Sequence, residues 1–175
     1  MDVLSQTGFP RSGTRTLNNC LTLSFPQYII NPNTYSPKTI VDGKNTFVIF
    51  REPVDCIASW AYFSDYMKQS QTIESLVDWW LSFAEKTIDN NENIFVSTLK
   101  KLSMDCYSVV RDYANKYDLT EPIKVSNREV YKKTKSEFPE HVPRSSVAIP
   151  IQYYNEVIES KKYLKAVNLY KTISE

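Results

Sequence analysis

The segment at residues 7–16, which reads TGFPRSGTRT, constrains the fold of this chain more than any other part of it. The chain has only three glycines, and both Gly8 and Gly13 lie in this segment. A chain so sparing with glycine uses it where the backbone geometry requires it. Residues 2–7 predict a first strand, residues 8–13 a loop, and residues 14–23 a helix. The sequence therefore begins with a strand, a tight loop bounded by glycines, and a helix.

Strands and helices alternate along the rest of the 175 residues. The run TFVIF at 46–50 is β-branched and aromatic, which predicts a buried strand. Pro53 favours the start of a helix, and Thr72 is a suitable N-cap for the next one. The remaining predictions are short strands at 27–31, 94–97 and 123–126, a helix capped by Ser103, a loop over most of 127–151, and a final helix at 153–173. This order predicts one domain, residues 1–175, with an α/β fold in which helices flank a mostly parallel sheet.

Composition disfavours several classes of function. Lys and Arg total 21 against 20 for Asp and Glu, a net charge of +1, so bulk charge suggests no nucleic-acid or membrane partner. The longest apolar run near the N-terminus, at 47–50, is too short to cross a bilayer, and no leader peptide is visible. Three widely spaced cysteines fit neither a disulfide framework nor a metal site, which predicts a reducing, cytoplasmic environment. His141 is the only histidine, so a histidine-based metal site is not expected.

The loop at 8–16 has the composition of an anion site. A tight turn before a helix directs backbone N–H groups at one point, where the helix dipole adds positive charge. Hydroxyl and guanidinium groups can reinforce that charge, and they come from Arg11, Ser12, Thr14, Arg15 and Thr16. Aligned with the ATP-binding pattern GxxxxGK[ST], Thr14 stands where the lysine belongs and Arg15 where the magnesium-binding hydroxyl belongs. A magnesium-dependent kinase is therefore disfavoured, and a plain strand-to-helix turn with surface arginines is the alternative.

A second candidate anion site follows the buried strand at 46–50. Arg51 lies at the carboxyl end of that strand, the edge at which parallel sheets bind ligands. Ser59 lies in the second turn of the next helix, outside its apolar stripe. Together these two side chains can hold a second anionic group. The alternative is a local ion pair between Arg51 and Glu52 or Asp55, which contributes little if it is exposed.

The two segments TGFPRSGTRTL and FREPVDCIASW resemble the two nucleotide-binding motifs of sulfotransferases that use 3′-phosphoadenosine 5′-phosphosulfate (PAPS). Residues 94–117 and the C-terminal helix also look like that family. The resemblance implies a fold related to nucleotide kinases and sulfuryl transfer from PAPS without a metal. It implies that Arg11 is the catalytic cation and that Arg51 and Ser59 bind the 3′-phosphate. The residues that it implies for the 5′-phosphate are Ser12, Gly13, Thr14, Arg15 and Thr16.

The sequence departs from the family pattern in two places. Thr16 stands where many members have an aromatic residue that stacks on adenine. No His or Glu lies between the two motifs, so Asp42 and His141 are the candidates for the general base. The acceptor is expected to be a hydroxyl or amine on a small molecule or glycan. A nucleotide-binding protein without turnover is the main alternative, and a kinase-like phosphotransferase is a weaker one.

A basic cluster lies in the polar stretch near the C-terminus. Arg128, Lys132, Lys133 and Lys135 surround Tyr131. We interpret this cluster as a solvated loop rather than a nucleic-acid site, because the net charge of the chain is close to zero. In a PAPS enzyme it could instead reach a phosphate or an acidic sugar.

Overall fold

The described strands of this protein form one parallel sheet. The computed structural model describes residues 3–31, 35, 37–38, 40, 45–69, 71–137 and 148–174. The strands within these ranges are β1 (Val3–Thr7), β2 (Ile29–Ile30), β3 (Thr46–Phe50) and β4 (Phe95–Thr98). Their order across the sheet is β2-β1-β3-β4. The predicted parallel α/β sheet is therefore confirmed; the bounds of β3 are the predicted ones, and those of the other three strands differ by one or two residues.

Strand β3 lies between β1 and β4 and is buried along its whole length. Its side chains alternate between the two faces of the sheet, as the two-residue repeat of a strand requires. Val48 and Phe50 pack into the core on one face. Phe47 and Ile49 pack into the core on the other. A strand with a core on both sides has to be apolar throughout, which explains the uninterrupted run TFVIF.

Helices cover both faces of the sheet. The helices within the described ranges are α1 (Thr14–Ser24), α2 (Pro53–Tyr66), α3 (Ile73–Asp89), α4 (Leu99–Met104), α5 (Cys106–Lys116), α6 (Asn127–Glu137), α7 (Ile151–Glu159) and α8 (Tyr163–Ser174). Pro53 occupies the first turn of α2, as predicted. Thr72 caps α3 by accepting a hydrogen bond at Oγ1 from the Ser75 N–H at 3.2 Å, which confirms that prediction too. None of the described helices is long and apolar enough to cross a membrane.

The prediction that Ser103 caps a helix is wrong. The segment divides into two helices, α4 and α5, which meet at Asp105. Thr98 caps α4 through the Lys101 N–H, and Asp105 caps α5 through the Ser108 N–H. Ser103 instead lies inside α4, and its carbonyl oxygen accepts a hydrogen bond from the Asn127 side chain. Two suitable capping side chains, Thr98 and Asp105, flank the serine that the sequence pattern favoured.

The C-terminal third also differs from the predictions. Residues 123–126 form no strand, and the Ile123 N–H donates to the carbonyl oxygen of Ser24 instead of a strand neighbour. Residues 127–137 form helix α6 rather than a loop. Only Val130 and Thr134 of this helix are buried, so its apolar periodicity was too weak to detect. The predicted single helix at 153–173 is two helices, because the backbone at Ser160 turns to an extended conformation.

Candidate functional site

The two predicted anion-binding segments leave the same edge of the sheet. Strands β1 and β3 are parallel neighbours, and Thr7 is paired with Val48. The loop at 8–13 follows the carboxyl end of β1, and Arg51 follows the carboxyl end of β3. The pairing of these two strands therefore brings together segments that are far apart in the sequence.

The loop after β1 is shaped by two residues with positive φ angles. Arg11 has φ of 68° and Gly13 has φ of 102°. Between them the Ser12 N–H donates to the carbonyl oxygen of Phe9 at 3.1 Å, which closes a turn. Helix α1 begins at Thr14, and Gly13 occupies its N-cap without a capping side chain. The first N–H groups of a helix have no acceptor within the helix, so this end of α1 is electropositive.

Both glycines of the loop are required by close contacts. A Cβ atom at Gly8 would lie 2.6 Å from the carbonyl oxygen of Ile49 and 2.6 Å from the Ser12 hydroxyl oxygen. At Gly13 a Cβ atom would lie 2.5 Å from the Leu99 Cδ1 atom. The loop thus packs directly against β3 on one side and against the start of α4 on the other. Its shape leaves no room for a larger residue at either position.

Arg11 connects the two motifs. Its Nε donates a hydrogen bond to the Ser59 hydroxyl oxygen at 3.1 Å, across 48 residues of sequence. Its guanidinium carbon also lies 5.5 Å from the centre of the Phe63 ring, within the range of a cation–π contact. Both partners are on α2, four residues apart, so one face of that helix positions the guanidinium group.

Arg51 makes the local ion pair that the sequence suggested as an alternative. Its guanidinium nitrogen lies 3.3 Å from a carboxylate oxygen of Asp55, and both side chains are about one-third exposed, at 32% and 36%. The ion pair does not remove Arg51 from the site, because this arginine lines the same cleft as Arg11. Tyr170 of α8 lies close by. Burial raises the pKa of its hydroxyl group, and the nearby carboxylates of Glu52 and Asp55 raise it further.

A cleft of about 620 Å³ lies at this edge of the sheet. Among the residues predicted from the motifs, its walls include Arg11, Gly13, Thr14, Arg15, Thr16, Arg51 and Ser59. Ser12 is fully buried within the loop, and its hydroxyl group has no hydrogen-bond partner among the described residues. The described walls contain no carboxylate. Three motif arginines, several hydroxyl groups and the start of α1 therefore face one cavity that suits an anion.

Aromatic side chains that the sequence motifs did not predict line a further part of this cleft. They are Tyr35, Trp60, Tyr62, Phe63, Tyr66 and Tyr154. Four of them belong to α2 and follow Ser59 within seven residues. Their density immediately after the second motif is the signal that could have found them.

The two candidates for the general base, Asp42 and His141, lie outside the described residues. Their roles stay predictions. Across the described part of the chain, no group of three or more His, Cys, Asp or Glu side chains is arranged to hold a metal ion.

The fold of the chain is similar to that of a sulfotransferase of known structure. The structure of mouse sulfotransferase SULT7A1 in complex with PAP matches it with a TM-score of 0.55, over 98% of this chain and 84% of that one. The sequences of the two proteins are only 11% identical in this comparison. By sequence alone, no family model and no curated protein matches the chain significantly. The likeness therefore shows the fold alone.

Proposed function

We propose that this protein is a sulfotransferase that uses PAPS as sulfuryl donor and a hydroxyl or amine group as acceptor. One observation carries the proposal: Arg11 of the first motif bonds to Ser59 of the second, and Arg51 lines the same cleft. PAPS carries anionic groups at both ends, so it needs two cationic sites in one cavity. The cleft offers both, and the fold is one found in a sulfotransferase.

The described residues suit PAPS in their chemistry. The N–H groups at the start of α1, with the hydroxyl groups of Thr14 and Thr16, can hold the 5′-phosphate. Arg51 can bind the 3′-phosphate, since guanidinium groups bind phosphate oxygens through paired hydrogen bonds. Bound PAPS supplies an activated sulfuryl group. Arg11 stabilises the negative charge that develops on the leaving phosphate, and its contacts with Ser59 and Phe63 hold it in place for that role.

The acceptor would enter beside the aromatic part of the cleft. Arg11 lies over Phe63, so the cation proposed for transfer is adjacent to that aromatic surface. Such a surface favours an acceptor with an apolar or ring-shaped face, on a small molecule or a glycan. Removal of the acceptor proton is assigned to Asp42 or His141 as the candidates.

The cellular setting is part of the same proposal. All three cysteines are free thiols and are buried. Burial raises the pKa of the Cys56 thiol to about 12, and the nearby Arg51 opposes the shift only in part. Free, buried thiols are consistent with a reducing, cytoplasmic compartment.

Calorimetry with adenosine 3′,5′-bisphosphate and with ATP and Mg²⁺ tests the donor site. We expect tight binding of the bisphosphate that does not depend on metal, and weaker binding of ATP. The control is Arg111→Ala, which removes an arginine on α5 that does not line the cleft. Preference for ATP with Mg²⁺ would contradict the proposal and favour a phosphotransferase.

Transfer of labelled sulfate from PAPS to phenols, amines and glycans then tests the activity. Transfer to any of these acceptors supports the sulfotransferase assignment. Tight binding of the bisphosphate without transfer to any of them favours the alternative, a nucleotide-binding protein without turnover. The two measurements together separate the proposed function from both alternatives.

A further inference from the structure

Two of the three cysteines form a pair inside the core. Cys20 lies on α1 and Cys106 is the first residue of α5, and these two helices pack against each other. Both side chains belong to one cluster of buried residues, in which Cys20 is 0% exposed and Cys106 is 3% exposed. The Cys20 thiol donates a hydrogen bond to the Cys106 sulfur. Two thiols that are far apart in the sequence are therefore in direct contact, while Cys56 belongs to the core on the other face of the sheet.

The surroundings of Cys106 hold its sulfur in place. The neutral thiol donates to the Val125 carbonyl oxygen at 3.2 Å. The Cys106 backbone N–H donates to the side-chain oxygen of Asn127 at 2.9 Å. The side-chain amide of Asn127 in turn donates to the carbonyl oxygen of Ser103. These contacts fix the junction between α4 and α5, so the Cys106 sulfur stays beside Cys20.

The two thiols differ in acidity. The hydrogen bond from Cys20 lowers the pKa of Cys106, and the backbone N–H groups of Cys106 and Tyr107 at the start of α5 act in the same direction. Burial and the Asp105 carboxylate oppose this shift only in part. The same hydrogen bond raises the pKa of Cys20, and burial raises it further. Cys106 is therefore the sulfur that becomes a thiolate, while Cys20 keeps its proton.

Cys106 is also the nearer of the two sulfurs to solvent. The three residues immediately before it, Ser103, Met104 and Asp105, are exposed. Helix ends open more readily than helix centres, so a small opening at the start of α5 admits a molecule as small as hydrogen peroxide. Oxidation therefore begins at Cys106, which is the more acidic and the less deeply buried sulfur.

We propose that Cys20 and Cys106 are a redox-responsive pair, which hydrogen peroxide converts into a disulfide that locks α1 to α5. The Cys106 thiolate attacks one oxygen of the peroxide, the O–O bond breaks, hydroxide leaves, and the sulfur becomes a sulfenic acid. The Cys20 sulfur then attacks the sulfenic sulfur. The S–S bond forms, the S–O bond breaks, and the departing hydroxide takes the Cys20 proton and leaves as water. Two thiols are oxidised to one disulfide, and one peroxide is reduced to two waters.

The disulfide acts on the helix that follows the loop at 8–13. Helix α1 begins at Thr14, which lines the candidate cleft, and Cys20 lies about 9 Å further along the helix axis. Because Cys20 and Cys106 are far apart in the sequence, their link closes a long loop and restricts the unfolded chain. A reducing compartment keeps the pair as thiols, and exposure to peroxide closes it. This inference goes beyond the proposed sulfuryl transfer and does not require it.

The test treats the full chain with hydrogen peroxide, alkylates the remaining thiols under denaturing conditions and maps the peptides by mass spectrometry. We expect the number of free thiols to fall from three to one, with Cys20 linked to Cys106 and Cys56 alkylated. Dithiothreitol should restore all three thiols. Three free thiols after the treatment, a link between molecules, or a link that includes Cys56 would overturn the proposal. Sulfinic acid at Cys106 in place of the link would also overturn it.

Matched variants and thermal unfolding test whether the link stabilises the fold. Cys56→Ala keeps both members of the pair and should still form the link, whereas Cys106→Ala should not. In the wild type and in Cys56→Ala, oxidation should raise the melting temperature by about 5 °C or more, and dithiothreitol should reverse the rise. Peroxide also oxidises methionine, but dithiothreitol does not reduce methionine sulfoxide, so the reversible part of the change reports the disulfide.

Absence of a reversible rise in the wild type, or an equal rise in Cys106→Ala, would show that no such lock exists. Peptide mapping of the wild type identifies the linked cysteines even if a variant does not fold.

Discussion

The guanidinium group of Arg11 donates to the hydroxyl group of Ser59 at 3.1 Å, and this bond joins two segments that are 48 residues apart. It fixes the guanidinium group of the loop at 8–13 against the helix that follows Arg51. Each motif is thus oriented by the other, so a substitution in one motif should alter the geometry of both.

Replacement of Arg11 by alanine should reduce turnover much more than donor affinity. The guanidinium group is proposed to act on charge that develops only in the transition state, so we expect a loss of about 100-fold in kcat. Affinity for the bisphosphate, measured by calorimetry, should fall by less than tenfold. Arg11→Lys, which keeps the charge, should retain part of the activity. Equal losses of affinity and turnover in Arg11→Ala would refute the transition-state role.

Replacement of Arg51 by alanine should weaken binding of the bisphosphate by about 1.5–3 kcal/mol, the scale of a charge-assisted contact. Calorimetry measures this directly, and Arg111→Ala provides the matched control. An unchanged affinity in Arg51→Ala would show that the second motif does not bind the nucleotide.

Asp55→Asn should have the opposite effect on affinity. The Asp55 carboxylate pairs with Arg51 at 3.3 Å and would repel a phosphate bound there. The amide is nearly the same size and removes the charge, so we expect binding of the bisphosphate to tighten about two- to fivefold. The gain should shrink at high salt, because the pair is partly exposed. Weaker binding in Asp55→Asn would mean that Asp55 positions Arg51 for the ligand instead of competing with it.

The glycine at position 13 should be intolerant of alanine for two separable reasons. The backbone has φ of 102°, and the new Cβ would lie 2.5 Å from the Leu99 Cδ1 atom. We expect Gly13→Ala to lower the free energy of unfolding by about 1–3 kcal/mol. A double variant with Leu99→Ala relieves the contact but not the backbone strain. Chemical denaturation of the two single variants and the double variant separates the cost of the contact from that of the backbone strain. If the losses in free energy of unfolding of the single variants add up to that of the double variant, the Leu99 contact is unimportant.

Stability should fall at alkaline pH because of Cys56. Burial raises the pKa of this thiol from 9.0 to about 12. Between these two values the unfolded chain has lost the proton and the native chain keeps it. The Cys56 thiol therefore makes its full contribution to the free energy of unfolding below pH 9. That contribution falls by about 1.4 kcal/mol per pH unit as the pH rises toward 12.

Cys56→Ala removes this titration. The variant should be less stable at neutral pH, because it leaves a small cavity, but its stability should depend less on pH above 9. Urea denaturation at several pH values gives the slope for each protein. Identical slopes in the two proteins would contradict the assignment of this titration to Cys56.

The parts of the fold that could be predicted from the sequence are those with strong local signals. The run TFVIF specifies a strand with a core on both faces, and Thr72 and Pro53 are placed where helices begin. The loop at 8–13 could be recognised because Gly8 and Gly13 are two of only three glycines. Parallel pairing then places the ends of β1 and β3 side by side, which is enough to expect Arg11 and Arg51 in one region.

The remaining parts depend on contacts that a single sequence does not display. Helix α6 has only two buried residues, which are four positions apart. One such pair in a highly charged segment does not make an apolar pattern that would predict a helix. The hydrogen bond from Arg11 to Ser59 forms only because the loop at 8–13 packs against α2, and this contact is set by tertiary packing. The aromatic part of the cleft combines α2 with Tyr35 and Tyr154, which come from distant parts of the chain.

The register between Thr7 and Val48 has a consequence for how ligand binding and folding are linked. A peptide that contains only one of the two motifs cannot form the cleft, since Arg11 and Arg51 line it together only when those two strands are paired. A nucleotide that bridges them binds the native chain and not the unfolded one. At saturating concentrations such a ligand raises the melting temperature, and the size of that rise reports its affinity even for a variant that has lost all turnover.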